Sequence, residues 1–297
     1  MNTVKLWISG ARPLTLPLSL VAVALGVACA VFLTPEGETL SLALIVLCFA
    51  VAFFLQIGVN YANDYSDGIR GTDDRSVRRG PVRLVGWGLA APKTVLRMAL
   101  VAFALAAVSG LGIVLLSGYW WLLAVGAACL LAAWFYTGGK RPYGYAPFGE
   151  LAVLLFFGIV PVVATAYVLT GTVSVEVWLA GLSAGIFAAA VLLTNNIRDR
   201  EKDVLHSKRT LSVVIGAPAS RVLYMILLLA PFGLLAYFAA KHPAALLVYA
   251  ILPIIAVPTL TNFLSARTTL EFVASLKQTL FTAAIFELSL ALAITYL

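Results

Sequence analysis

The chain has 297 residues, 62% of them hydrophobic and only 11% charged, with a mean hydropathy of +1.01. Soluble domains run at about 45–50% apolar and about 25% charged, and a soluble fold of this size still needs a polar shell. The composition therefore excludes soluble, disordered, disulfide-built and nucleic-acid-binding classes and describes an integral membrane protein. The net charge of +7 is read through topology and anionic lipids or substrates.

Apolar runs long enough to cross a bilayer, roughly 20 residues each, fall at about 14–33, 41–62, 94–116, 119–136, 149–170, 177–196, 221–240, 243–263 and 273–296. The first, preceded by Lys5 and Arg12, is too long for a signal-peptide core and is read as a retained helix. The expectation is an all-α bundle of about nine transmembrane helices, forming one domain over residues 1–297. Cys29, Cys48 and Cys129 lie inside apolar runs without metal-ligand spacing, so they read as small buried hydrophobes.

Basic residues crowd alternate loops. Lys5 and Arg12 precede the first run, and Arg70, Arg75, Arg78, Arg79, Arg83 and Lys93 follow the second. Lys140 and Arg141 follow the fourth; Arg198, Arg200, Lys202, Lys208, Arg209 and Arg221 follow the sixth; Arg267 follows the eighth. The remaining loops are short and carry Lys241 as their one basic residue. The positive-inside rule then makes the amino terminus and the two long polar loops, at about 63–93 and 197–220, cytoplasmic.

Two apolar runs deliver similar phrases to those loops. The second ends in Asn63-Asp64-Tyr65-Ser66-Asp67 and continues to Asp73; the sixth ends in Asn195-Asn196-Ile197-Arg198-Asp199 and continues to Asp203. The two helices thus read as equivalent members of two four-helix repeats, with a ninth helix added. On a helix, i and i+4 share a face, which stacks Asn63 with Asp67, and Asn195 with Asp199 and Asp203. Hard oxygen ligands in such number at one membrane face suit Mg²⁺ held jointly by carboxylates and substrate phosphates. A solvated helix end with Asn and Asp caps explains either phrase alone, but explains two matched phrases less well. Arg70, Arg79, Arg83, Arg198, Lys208 and Arg209 interleave with the acids, and Lys140 and Arg141 add a third loop. Acids for the metal and cations for phosphate oxygens are the two halves of a polyanion site.

The first phrase with Gly71-Thr72-Asp73 and Arg79-Gly80-Pro81-x-Arg83-Leu84, and the second with Lys208-Arg209-Thr210-Leu211, resemble the paired signatures of UbiA-type intramembrane prenyltransferases. Tyr136-Thr137-Gly138-Gly139-Lys140-Arg141-Pro142-Tyr143-Gly144-Tyr145, with Gly149-Glu150 downstream, resembles the 1,4-dihydroxy-2-naphthoate branch that serves menaquinone synthesis. Ser207 stands where the second signature usually has glycine. The resemblance implies transfer of a polyprenyl chain from its diphosphate to dihydroxynaphthoate, with loss of CO₂ and diphosphate. It implies Mg²⁺ bound by Asn63, Asp64, Asp67, Asp73, Asn195, Asp199 and Asp203, with Asp67, Asp199 and Lys140 catalytic. Arg70, Arg79, Arg83, Lys140, Arg141, Arg198, Lys208 and Arg209 would take the diphosphate; Tyr136, Tyr143 and Glu150 are acceptor candidates on position. The prenyl chain would leave sideways into the bilayer, in a cell membrane with the site facing the cytoplasm. Other aromatic acceptors, such as 4-hydroxybenzoate, remain the alternative within the class. A secondary transporter is the alternative outside it; that reading predicts ionisable groups at mid-bilayer, where only Glu287 lies.

Overall fold

A computed structural model describes residues 3–73, 82–241 and 245–295; Arg75, Arg78, Arg79 and His242 lie outside these. The described residues form α1 (Thr3–Gly10), α2 (Leu16–Leu33), α3 (Leu42–Ile69), α4 (Pro92–Ser117), α5 (Leu122–Phe135), α6 (Gly149–Leu154), α7 (Val160–Thr170), α8 (Val175–Leu205), α9 (Leu211–Lys241), α10 (Ala245–Ser265) and α11 (Thr269–Thr295). No strand is present among them. A π-turn, Leu155–Ile159, joins α6 to α7 into one kinked rod.

Among the described residues, seven helices are long and apolar enough to cross a membrane: α2, α3, α4, the α6–α7 rod, α8, α9 and α11. The fourth apolar run is shorter than its hydropathy suggests. Its helix has 14 residues, about 21 Å against a hydrocarbon core of about 30 Å. Tyr119, Trp120 and Trp121 count as apolar, yet they sit in the turn before α5, with both tryptophans exposed, as aromatic residues do at a membrane interface. Ala133 is the one buried residue of α5, so this helix is peripheral.

α8 is the central helix, with 72% of its apolar window buried. It packs closely because its Gly181-x-x-x-Gly185 face meets the π-turn backbone to backbone. A Cβ on Gly158 would lie 2.1 Å from the Gly185 nitrogen, and one on Gly26 of α2 would lie 2.7 Å from the Val162 carbonyl. Helices in lipid gain little from hydrophobic burial against one another, so small residues that allow close van der Waals contact carry the association.

Two features differ from the sequence reading. α3 and α8 run on past their apolar parts to Ile69 and Leu205, so the loops read at about 63–93 and 197–220 begin later than expected, and both Asn/Asp phrases are helical as their i, i+4 spacing requires. α9 starts at Leu211, ten residues before the expected span, with a break at Gly216 (φ 81°) and prolines at 218 and 231. The apolar count could not see a polar-flanked helix start.

Candidate active site

The end of α3 builds the first half of the site. Both Asp64 carboxylate oxygens accept backbone N–H groups, from Leu84 and Val85, each at 2.9 Å. Asp73 pairs with Arg83 at 3.2 Å, with side chains 0% and 4% exposed. Asp64, Asp73 and Arg83 thus fasten the residues after the first phrase against α3, and their charges are spent on one another or on the backbone.

Asp67, one turn beyond Asn63, faces two other loops. Its Oδ1 accepts the Tyr145 hydroxyl at 2.7 Å and its Oδ2 lies 3.7 Å from the Lys208 ammonium. The Tyr145 ring carries Lys208 at 4.2 Å and Arg70 at 5.5 Å from its centroid. The Arg209 backbone N–H donates to the Tyr145 carbonyl at 2.8 Å. Burial first, and then the neighbouring Asp67 charge, push the Tyr145 hydroxyl above its ordinary pKa, which keeps it a donor. Arg70 donates to the Thr137 and Gly139 carbonyls, and the Thr137 hydroxyl donates to Asn63 Oδ1 at 2.7 Å. Arg70 is therefore a clamp on the 136–148 loop in this geometry.

The end of α8 builds the second half. Arg198 holds Asp199 through two hydrogen bonds, at 2.9 and 2.6 Å. Asp203 accepts the Thr210 hydroxyl at 3.4 Å, and its carbonyl accepts the Lys208 N–H at 2.8 Å. Ser207, just past the helix end, has φ 57°, the left-handed conformation that explains the glycine usual at this place. A small polar cleft lined by Thr72, Asp199, Lys202, Asp203, His206 and Lys208 joins both halves. Lys140, Arg141 and Arg209 are exposed on the surrounding loops.

Beneath this polar layer lies an apolar cavity of about 510 Å³. Asn63 and Asn195, the first residues of the two phrases, both line it, with Arg12, Gln56, Asn60, Tyr136 and Tyr143. Along α3 its wall passes from Asn63, Asn60 and Gln56 to Ala52 and Cys48, a distance of about 22 Å at 1.5 Å per residue. On the α4–α5 side, Ala107, Leu111, Leu123, Gly126 and Ala127 line the cavity and are also exposed. The peripheral position of the short α5 accounts for that thin wall. The Tyr136 and Tyr143 rings meet edge to face at 5.5 Å, and the Tyr143 hydroxyl donates to the Ala132 carbonyl at 2.8 Å. Burial pushes the Tyr143 hydroxyl up to about 12 and raises Tyr136 too, so both stay neutral. Glu150 is buried behind them; its Oε1 accepts from Asn196 at 2.8 Å, and its Oε2 has no hydrogen-bond partner.

The structure thus brings together Asn63, Asp67, Asn195, Asp199, Asp203, Arg198 and Lys208, and leaves Arg79 outside the described residues. Among the described residues no three Asp, Glu, His or Cys side chains converge as a metal cage. The all-oxygen donor set still fits Mg²⁺, because that ion is commonly held by one or two carboxylates with the substrate's phosphates completing its shell. Sequence reasoning missed Tyr145, Thr137 and Arg12. Glu287, the deep acid of α11, is buried and outside the cavity lining.

The UbiA prenyltransferase family model matches residues 11–292. This chain belongs to the UbiA prenyltransferase family. It is 49% identical to 1,4-dihydroxy-2-naphthoate octaprenyltransferase of Mycobacterium tuberculosis, over 75% of this chain and 74% of that one. To the enzyme of the same description from Escherichia coli it is 33% identical, over 80% and 77%. Among solved structures, a UbiA homolog from Archaeoglobus fulgidus bound to DMAPP and Mg²⁺ shares the fold, with a TM-score of 0.69 at 15% identity over 98% and 99% of the two chains.

Proposed function

We propose that this prenyltransferase is Mg²⁺-dependent and joins a polyprenyl diphosphate to 1,4-dihydroxy-2-naphthoate, releasing diphosphate and CO₂ to give demethylmenaquinone in its reduced form. The observation that carries the reading is that two Asn/Asp helix ends meet at the polar mouth of one long apolar cavity. The relatives' shared description selects the naphthoate acceptor.

Asn63 and Asp67 from α3, and Asn195, Asp199 and Asp203 from α8, would hold the metal with the diphosphate. Asp64 and Asp73 would hold Leu84, Val85 and Arg83 against the end of α3 beside this mouth. When bound, Mg²⁺ supplies charge stabilisation to the departing diphosphate. Lys208 and Arg198 stand beside Asp67 and Asp199, where they neutralise the same developing charge on the leaving oxygen. Lys140, Arg141 and Arg209 would add to that field from the surrounding loops. The allylic C–O bond breaks with its electron pair leaving on the diphosphate, and the neutral Tyr136 and Tyr143 rings face the cation that remains. Apolar walls keep water from that cation. The acceptor ring attacks it, a C–C bond forms, and the ring's bond to the carboxylate carbon breaks as CO₂ departs. The polyprenyl tail lies along Ala52 and Cys48 and reaches lipid between α4 and α5. Basic-loop asymmetry supports a cytoplasmic mouth.

The test is to give purified enzyme one polyprenyl diphosphate, Mg²⁺, and each aromatic acceptor in turn. Turnover is expected with dihydroxynaphthoate. Turnover with 4-hydroxybenzoate alone would replace the acceptor, and no transfer to any acceptor would refute the reading.

A further inference from the structure

Arg12 is separate from the cations around the acidic cleft. It occupies the turn between α1 and α2 with φ 53°, a left-handed conformation that non-glycine residues seldom adopt. α3 holds this turn through three side-chain donors: Tyr61 to the Trp7 carbonyl, Asn60 to the Ala11 carbonyl and Gln56 to the Thr15 carbonyl, all at 2.8 Å. Asn60 and Gln56 are themselves buried, at 5% and 6% exposure. The turn on either side of Arg12 is thus pinned to the same helix that carries Asn63 and Asp67.

The position so fixed is in the cavity wall, shared with Asn63, Tyr136 and Tyr143. Among the described residues that line the cavity, Arg12 alone is charged. Lys208, Arg198, Asp67 and Asp199 all lie outside that lining. A cation in a wall that is otherwise uncharged, its polar members being neutral side chains such as Gln56, Asn60 and Asn63, is a recognition element for an anion that enters the cavity, since desolvation strengthens the pairing. The reaction has two anions. The diphosphate is met by the acidic helix ends and their own cations, so the remaining anion is the carboxylate of the aromatic acceptor. We propose that Arg12 anchors the acceptor's carboxylate, with the acceptor ring lying against Tyr136 and Tyr143. This inference rests on the naphthoate reading above. It makes Arg12 a specificity residue: the planar guanidinium fork matches a carboxylate in bidentate fashion, and fixes which ring carbon faces the allylic end of the donor near Asn63 and Asn195.

The experiment measures equilibrium binding to the purified full chain in detergent, without donor. The two ligands are 1,4-dihydroxy-2-naphthoate and 1,4-dihydroxynaphthalene, the same ring without the carboxylate. Wild type is expected to bind the carboxylated ring at least about tenfold more tightly, as charge-assisted hydrogen bonds imply. Arg12→Gln is expected to abolish that preference, leaving the dihydroxynaphthalene affinity within about threefold of wild type and the donor's KM unchanged. Arg12→Lys should recover part of it, since an ammonium keeps the charge but not the fork. Equal losses for both ligands would reduce Arg12 to a structural residue of its turn, and a change confined to the donor's KM would move it to the diphosphate; either overturns the proposal. If Arg12→Gln does not fold, the wild-type comparison decides, and equal binding of the two rings overturns the proposal. A wild type that transfers prenyl groups only to another acceptor refutes the naphthoate reading itself, which is a different result from an Arg12 variant that retains its preference.

Discussion

Tyr145→Phe removes one oxygen and leaves the ring on which Lys208 and Arg70 rest, at 4.2 and 5.5 Å. What is lost is the 2.7 Å hydrogen bond to Asp67. A hydrogen bond to a charged group contributes about 1.5–3 kcal/mol. If that bond holds Asp67 in the orientation needed as charge builds on the diphosphate, most of its worth appears in the transition state. The expected loss is then roughly 10-fold to 150-fold in kcat, with the acceptor's KM little changed. Tyr145→Leu also removes the face beneath the Lys208 ammonium, a contact of about 0.5–2 kcal/mol, and should lower kcat further while raising the donor's KM. The assay is initial-rate kinetics with each substrate varied in turn at saturating Mg²⁺. A Tyr145→Phe enzyme within twofold of wild type in kcat would show that the bond to Asp67 does not serve the reaction, and the loop network around Tyr145 would be structural only.

Asp67→Asn and Asp199→Asn each remove a negative charge with little change of shape, and should lower kcat by a hundredfold or more in the same assay while the thermal unfolding midpoint stays near wild type. Ser207→Gly relieves a left-handed residue (φ 57°), so it should leave activity intact and raise stability by up to about 1 kcal/mol, read as a higher melting temperature. Cysteines at the exposed positions Leu89 and Leu205 should both react with a membrane-impermeant thiol reagent only from the cytoplasmic side; labelling from opposite sides would contradict a single site built from both helix ends.

The Asn/Asp phrases were legible because helical spacing puts Asn63 over Asp67, and Asn195 over Asp199 and Asp203, and both helices do extend that far. The division of labour among the charges was not. Asp64 reads as one more ligand until its two oxygens are found on the backbone of Leu84 and Val85, 20 and 21 residues away. Arg70 and Arg83 likewise read as phosphate cations until their carbonyl and carboxylate partners are known. Those partners depend on how loops return to α3, which no local spacing encodes. Arg12 read as a topology signal because basic residues before a first span are expected on those grounds alone. Its placement in the cavity depends on Asn60 and Gln56, polar residues inside an apolar run whose purpose appears only when α1 and α2 are packed against them. The short α5 was hidden by aromatic residues that hydropathy counts as membrane and the structure places in the turn before the helix.

The central claim is that the two helix ends act together on one diphosphate while the acceptor loses its carboxylate. Dihydroxynaphthoate labelled in the carboxyl carbon, supplied with a polyprenyl diphosphate and Mg²⁺, tests it in a single measurement. Labelled CO₂, diphosphate and prenylated product should appear in equal amounts with wild type, and all three should fall together by a hundredfold or more in both Asp67→Asn and Asp199→Asn. Prenylated product that retains the labelled carboxylate, or a normal yield from either variant, would contradict the account.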